Sequence, residues 1–114
     1  MSPARDVPYA KLVRDRIPEI IRSSGREPRV SVLDEAAYRE ALRDKLSEEV
    51  AEFLASGDPL ELTDILEVVY ALAHLSGHTP EDLEALRLGK REARGGFEER
   101  LYLESVGGRE ASDG

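Results

Sequence analysis

The strongest constraint on the fold is a long run of helix-forming residues that one short break divides in two. From Asp34 to Ser56 the sequence has neither glycine nor proline and is dominated by Ala, Leu, Glu, Lys and Arg, which predicts one long helix with Asp34 as its N-cap. In Ser56–Pro59, the glycine ends this helix, the aspartate caps the next and the proline takes its first position. So short a link forces the two helices antiparallel, and the sequence predicts an all-α fold centred on a helical hairpin.

Weaker signals predict shorter helices before and after the hairpin. Asp15 is expected to cap a helix that stops at Gly25. Thr79 and Pro80 open another helix, which Gly95 ends. The expected bounds are about Arg16–Ser24 for the first helix, about Ser76 for the end of the second long helix and about Arg94 for the end of the last, with Phe97–Leu103 extended.

Composition restricts the class of protein. The 114 residues suit one domain, which we place at residues 1–104, with a disordered tail at 105–114 that is rich in Gly, Ser and charge. The chain has no cysteine, which excludes disulfides and thiolate metal sites. Its net charge of -8 argues against nucleic-acid binding. Because no signal peptide and no stretch of ~20 apolar residues is recognisable, we expect a cytoplasmic protein without a membrane partner.

Several carboxylates fall on helix faces that should be buried. At about 100° per residue, Glu49 lies inside the apolar stripe of the first long helix, Glu52 at its edge and Glu48 outside it. In residues 62–75, 10 of 14 side chains are apolar, so the second long helix is expected to be buried nearly all round. Glu61 and Asp64 nevertheless belong to that helix.

The hairpin can bring these carboxylates face to face. Glu49 and Glu52 are one turn apart, as are Glu61 and Asp64, and the short link lies between the two pairs. Four facing carboxylates repel unless a cation lies between them, and oxygen ligands without cysteine indicate Mg²⁺ or Mn²⁺. A structural explanation also exists for single residues: Glu61 has the spacing of a capping acid, and Glu48 and Glu52 could pair with Lys45 on a solvated face.

Three segments together resemble a known superfamily. The order Glu48-Glu49-x-x-Glu52 … Glu61-x-x-Asp64 resembles the EExxE…ExxD signature of the all-α nucleoside triphosphate pyrophosphohydrolases, which include MazG-like proteins, dimeric dUTPases and phosphoribosyl-ATP pyrophosphohydrolase. Tyr9–Glu19 (YAKLVRDRIPE) and Lys90-x-x-x-Arg94-Gly95-Gly96-Phe97 look like a MazG-like subgroup described as house-cleaning pyrophosphatases. The resemblance covers residue 9 to about 103, although the gap between the acidic motifs is shorter than in many members.

The resemblance implies a fold and a set of site residues. The fold would be a MazG-like helical bundle completed by oligomerisation, as a homodimer or homotetramer, which would also cover the apolar second helix. Mg²⁺ would bind Glu49, Glu52, Glu61 and Asp64. Glu48 would be a further ligand or would orient the attacking water. The phosphates of the substrate would meet Lys11, Arg14, Lys90 and Arg94.

The resemblance also implies an activity. A Mg²⁺-dependent enzyme of this type hydrolyses a nucleoside triphosphate between its α- and β-phosphates, releases a nucleoside monophosphate and pyrophosphate, and clears noncanonical or surplus nucleotides. Two alternatives remain open. One is phosphoribosyl-ATP pyrophosphohydrolase of histidine biosynthesis, and the other is a non-catalytic helical interaction module whose acidic cluster is structural.

Overall fold

The computed structural model describes residues 10–108, and this part of the chain contains four α-helices and no β-strand. The all-α prediction is therefore confirmed. Phe97–Leu103 contains a turn, closed by the Arg100 N–H donating to the Phe97 carbonyl at 3.1 Å. Residues 109–114 of the expected disordered tail lie outside the described part. The helices are α1 (Ile17–Ser23), α2 (Glu35–Ser56), α3 (Leu60–Leu75) and α4 (Pro80–Arg94).

Both predicted ends of α2 are confirmed, and each satisfies backbone groups that a helix end leaves unpaired. At the start, the Asp34 carboxylate accepts the Ala37 N–H at 2.8 Å. At the end, Gly57 adopts the left-handed conformation with φ 67°, and its N–H donates to the Phe53 carbonyl at 2.7 Å. This left-handed residue turns the chain back towards α2.

The starts of α3 and α1 differ from the sequence prediction, which placed an N-cap at Asp58 and at Asp15. α3 begins at Leu60, and the Asp58 carboxylate accepts the Leu60 N–H at 3.0 Å across a tight turn around Pro59. The prediction that Asp15 caps α1 is wrong, because α1 begins after Arg16, whose side chain makes no capping hydrogen bond. The first N–H of α1 donates instead to the Arg14 carbonyl at 3.0 Å, so backbone takes the place of the expected carboxylate.

α4 begins and ends as its sequence predicts. The Asp82 N–H donates to the Thr79 hydroxyl at 3.1 Å, while the Thr79 N–H donates to the Asp82 carboxylate at 2.9 Å. The backbone hydrogen bond from Thr79 lowers the pKa of the Asp82 carboxyl group. Gly95, with φ 84°, follows the last helical residue.

The helices form an open arrangement around a small core. α2 packs along α3, which also contacts α4, whereas α2 and α4 do not touch in the described part. Leu42 and Val68 are the buried apolar residues of this part of the chain. The Cα radius of gyration is 20.0 Å, against about 13 Å for a compact domain of ~100 residues. Among the described helices, none combines the length and apolar character needed to cross a membrane.

The prediction that α3 is buried nearly all round is wrong for the single chain. Leu62 and Leu66 remain 44% and 47% exposed, because α2 covers one side of α3 and α4 contacts only a small part of it. Beyond α4, Phe97 and Tyr102 are 98% and 89% exposed. The chain alone therefore leaves much of its apolar surface in contact with water.

Two glycine substitutions should change stability in opposite directions. Gly57→Ala forces an L side chain into the left-handed region and should lower the free energy of unfolding by ~1–2 kcal/mol. Gly89→Ala is the matched control, since Gly89 lies inside α4 with open space around its Cα, and it should raise stability by up to ~1 kcal/mol. Urea unfolding followed by circular dichroism measures both. A stability gain in Gly57→Ala would contradict the geometry of the link.

Candidate functional site

The hairpin brings the predicted carboxylates of α2 and α3 together. One oxygen from each of Glu48, Glu49 and Glu52 lies within 4.8 Å of the others. The same holds for Glu49, Glu61 and Asp64, so Glu49 belongs to both groups and joins α2 to α3. We call these five residues the acidic cluster. The sequence-predicted pairs therefore meet across the link.

Glu49 is the most confined member of the acidic cluster. It is 6% exposed, which agrees with its predicted place in the apolar stripe of α2. Its Oε1 lies 3.3 Å from the Lys45 ammonium, whereas its Oε2 is buried without a hydrogen-bond partner in the described part of the chain. A buried acceptor without a partner destabilises a fold by about 1–3 kcal/mol, so such an atom calls for a ligand or another explanation.

The carboxyl groups of the cluster are shifted in opposite directions. Burial, and next the neighbouring Glu52 carboxylate, raise the pKa of Glu49, while Lys45 acts against this shift. Burial, and next the charges of Asp64 and Glu49, raise the pKa of Glu61. The pKa of Glu48 is lowered, first by its hydrogen bond from Lys11 and also by the charge of Lys45. Repulsion is therefore concentrated where α2 meets α3.

Two predicted phosphate ligands already lie at the cluster. The segment before α1 crosses the hairpin, and the Lys11 ammonium donates to Glu48 Oε1 at 3.0 Å. The Arg14 guanidinium donates to Asp64 Oδ1 at 2.5 Å. Both basic side chains are about half exposed. They are thus in place for the predicted site, but they bind its carboxylates.

Lys45 is a site residue whose role the sequence analysis missed. Its side chain is 19% exposed and lies 3.5 Å from Glu48 and 3.3 Å from Glu49. From the sequence, Lys45 was expected only as a surface partner of Glu48 and Glu52. The signal that could have found its bond to Glu49 is the four-residue spacing, which places both side chains on one helix face.

The charges of the cluster do not balance. Within residues 10–108, its five carboxylates face three cationic groups, those of Lys11, Arg14 and Lys45, which leaves two negative charges in this part of the chain. No ion pair within the described residues reaches Glu52 or Glu61. The uncompensated charge equals that of one divalent cation and lies beside the unpartnered oxygen of Glu49.

The other two predicted phosphate ligands are placed differently. Lys90 and Arg94 are exposed on α4, which contacts α3 and not α2 in the described part of the chain. Lys90 forms no ion pair with the acidic cluster there. Within one chain, Lys11 and Arg14 therefore contact the acidic cluster, whereas Lys90 forms no ion pair with it in the described part.

A cavity of about 230 Å³ opens beside the acidic cluster. Residues 12–15 form one wall, and side chains of α2 and α3 form the others. Its charged lining residues include Glu49 and Asp64 of the cluster, together with Arg14 and Lys45. The cluster and the cavity are therefore one continuous site.

Comparisons with known proteins give a partial match. No family model and no solved structure matches the chain. An uncharacterized protein from Mycolicibacterium smegmatis is 57% identical over 47 residues, which are 41% of this chain and 48% of that protein. The match thus spans about half the length of the curated relative, whose name states no activity.

Removing the charge of Glu49 should stabilise the protein without divalent ions. At pH 7, Glu49→Gln should raise Tm by ~5 °C, since roughly 1 kcal/mol shifts Tm by 4–8 °C in a small domain. Because the pKa of Glu49 is raised, the folded state binds a proton more readily than the unfolded state, and repulsion weakens the fold at high pH. The difference from wild type should therefore shrink as the pH falls through the raised pKa of Glu49, and it should be lost below about 4.5, the ordinary value of a glutamate.

Differential scanning calorimetry across pH in the presence of a chelator measures this effect. Glu40→Gln is the control, since Glu40 is exposed on α2 outside the cluster. An equal change in Tm for both variants would show that Glu49 carries no special repulsion.

Proposed function

We propose that this chain is a Mg²⁺-dependent nucleoside triphosphate pyrophosphohydrolase of the MazG-like type. It would hydrolyse the bond between the α- and β-phosphates and so clear noncanonical or surplus nucleotides. The observation that carries this proposal is the buried, unpartnered Oε2 of Glu49, held beside two groups of carboxylate oxygens with uncompensated negative charge. An ion-pair network with a purely structural role does not account for a buried carboxylate oxygen that has no partner among the described residues.

The residues present fit a hard divalent cation. Glu49, Glu52, Glu61 and Asp64 offer oxygen atoms alone, the donor type that Mg²⁺ and Mn²⁺ prefer, and their uncompensated charge matches one such ion. A bound ion supplies charge screening and polarisation of phosphate oxygens. These four carboxylates are the proposed ligands.

The chain's own residues supply the remaining parts of the reaction. Glu48 orients a water molecule and accepts its proton. Its lowered pKa keeps the carboxylate ionised, and the hydrogen bond from Lys11 that lowers this pKa most is lost when Lys11 moves to a phosphate, which makes Glu48 a stronger base. The water oxygen bonds to the α-phosphorus, the bond from that phosphorus to the bridging oxygen breaks, and pyrophosphate leaves with the electron pair. Direct attack by water suits a site without a cysteine or an arranged serine nucleophile.

Lys11 and Arg14 move from carboxylates to phosphates in this proposal. Each is about half exposed and forms its ion pair with the cluster at the surface, so a triphosphate arriving with its own negative charge can attract both. Lys90 and Arg94 are proposed to reach the phosphates across an assembly of copies, because α4 does not contact α2 within one chain. These cations stabilise the charge that develops on the leaving pyrophosphate.

The open fold supports a homodimer or homotetramer. Two buried apolar side chains in the described part cannot stabilise a domain of this size, and Leu62 and Leu66 of α3 remain exposed. A second copy of the chain that covers these leucines would bury the apolar side of α3.

Light scattering should therefore report at least a dimer at micromolar concentration, well above the 12.7 kDa of one chain. Leu66→Glu places a charge on the exposed side of α3 and should reduce the measured mass towards that of one chain. Ser47→Glu adds the same charge at an exposed polar position of α2 and serves as the control. A wild-type monomer would contradict the proposed assembly.

Pyrophosphate release from a nucleotide panel tests the proposed activity. The panel contains canonical and noncanonical nucleoside triphosphates and phosphoribosyl-ATP, each with Mg²⁺, with Mn²⁺ and with chelator. We expect release that needs the ion, and a loss of about 100-fold or more in Glu49→Gln, the scale of removing one charge-stabilising group from a reacting centre. Glu40→Gln should keep the wild-type rate.

The same panel separates the alternatives. Release from phosphoribosyl-ATP alone would assign the chain to histidine biosynthesis. Absence of release from every nucleotide, in protein that is folded and assembled, would leave the helical interaction module.

A further inference from the structure

We propose that the cavity beside the acidic cluster binds a nucleobase that carries an exocyclic amino group, and that Tyr38 and Glu67 recognise it. This inference rests on the proposed function, because it assigns the base of that substrate. Glu49 and Asp64 belong to both the cluster and the cavity wall, so a nucleotide with its phosphates at the cluster would place its nucleoside in or near the cavity.

The volume of the cavity limits what it can hold. At about 230 Å³ it is smaller than the ~300–1,000 Å³ of sites that enclose a drug-sized ligand. A whole nucleoside triphosphate does not fit, whereas a single ring system does. The phosphate chain would remain outside, at the open and charged end of the site.

The walls of the cavity suit a flat apolar ring. Leu12 and Val13 come from the segment before α1, and Val68 and Ala71 come from α3. Tyr38 of α2 is the aromatic side chain among the lining residues, and it is half-buried. Aliphatic side chains from two segments and one aromatic ring line a space in which a base can stack, since every base presents a π-face.

Two carboxylates at the cavity determine which edge of the ring is favoured. Asp15 and Glu67 line it, both are exposed, and neither forms an ion pair within the described residues. Ionised carboxylates only accept hydrogen bonds, so they favour amino groups such as those of cytosine, adenine and guanine. The carbonyl at the corresponding position of uracil meets them with like partial charge.

Glu67 is the better placed of the two carboxylates to recognise the base. It follows Asp64 by three residues on α3, which puts it one turn from the cluster on the same side of the helix. Its neighbour Val68 is buried against α2, so the backbone at this position is held by packing. Asp15 lies in a segment that reaches the hairpin through the Arg14 ion pair.

Mononucleotide binding tests this inference without any hydrolysis. Dissociation constants are measured by calorimetry, with Mg²⁺ present, for three pairs that differ in an exocyclic amino group: CMP and UMP, GMP and IMP, and AMP and IMP. In at least one pair, the amino-bearing member should bind about 10-fold more tightly, as expected for one hydrogen bond to a charged group. Equal affinities within all three pairs would overturn the proposal.

Substitutions of Glu67 and Tyr38 test their proposed roles in recognising the amino group and in stacking on the base. Glu67→Gln, whose amide can both donate and accept, should bring the affinity ratio of the selective pair close to one. Tyr38→Leu should weaken both members of that pair alike, whereas Tyr38→Phe, which keeps the ring, should not. Glu40→Gln is the control. A ratio unchanged in Glu67→Gln would remove Glu67 from recognition and overturn the assignment.

Failure of this inference can be told from failure of the proposed function. Selective mononucleotide binding without pyrophosphate release from any triphosphate would overturn the activity and support the base pocket. Pyrophosphate release with no selectivity within the three pairs would support the activity and overturn the base pocket.

Discussion

The charge of Glu49, buried where α2 meets α3, is the constraint on which the rest of the site depends. The described part of the chain buries only two apolar side chains, and a third buried position holds this carboxylate. That charge must be compensated, and the described residues do so only in part: Lys45 contacts one oxygen, and the other has no hydrogen-bond partner among residues 10–108. The two helices are thus held together at a point where their charges repel.

The negative charge of the acidic cluster also explains how the segment before α1 is attached to the hairpin. α1 does not pack against the other helices, and Lys11 and Arg14 tie the preceding residues to the hairpin through Glu48 and Asp64. Exposed ion pairs of this kind contribute little to stability, because water and salt screen them. The position of this segment therefore depends on the charge of the cluster together with the half-buried side chains of Leu12 and Val13.

Local chemistry explains which parts of the fold could be predicted from the sequence. Capping residues and left-handed glycines form hydrogen bonds with backbone groups only a few positions away in the sequence. The ends of α2 and the start of α4 could therefore be predicted from the sequence. The burial of Glu49 follows from helical periodicity. The burial of α3 could not be predicted in this way, because an apolar face does not say whether its partner is in the same chain. The contacts of Arg14 with Asp64, 50 residues away, carry no local pattern at all.

The segment at residues 12–15 takes part in both halves of the site, since it forms a wall of the cavity while its Arg14 neutralises Asp64. A cation that replaced Arg14 at Asp64 would leave the segment held to α2 by the Lys11–Glu48 ion pair. A ring that filled the cavity would contact the same wall and would so alter how readily Arg14 leaves Asp64 for a phosphate. Occupancy of the two places is thus linked through a single stretch of backbone. Linkage is reciprocal, so whatever factor the ring imposes on cation affinity, the cation must impose on the ring.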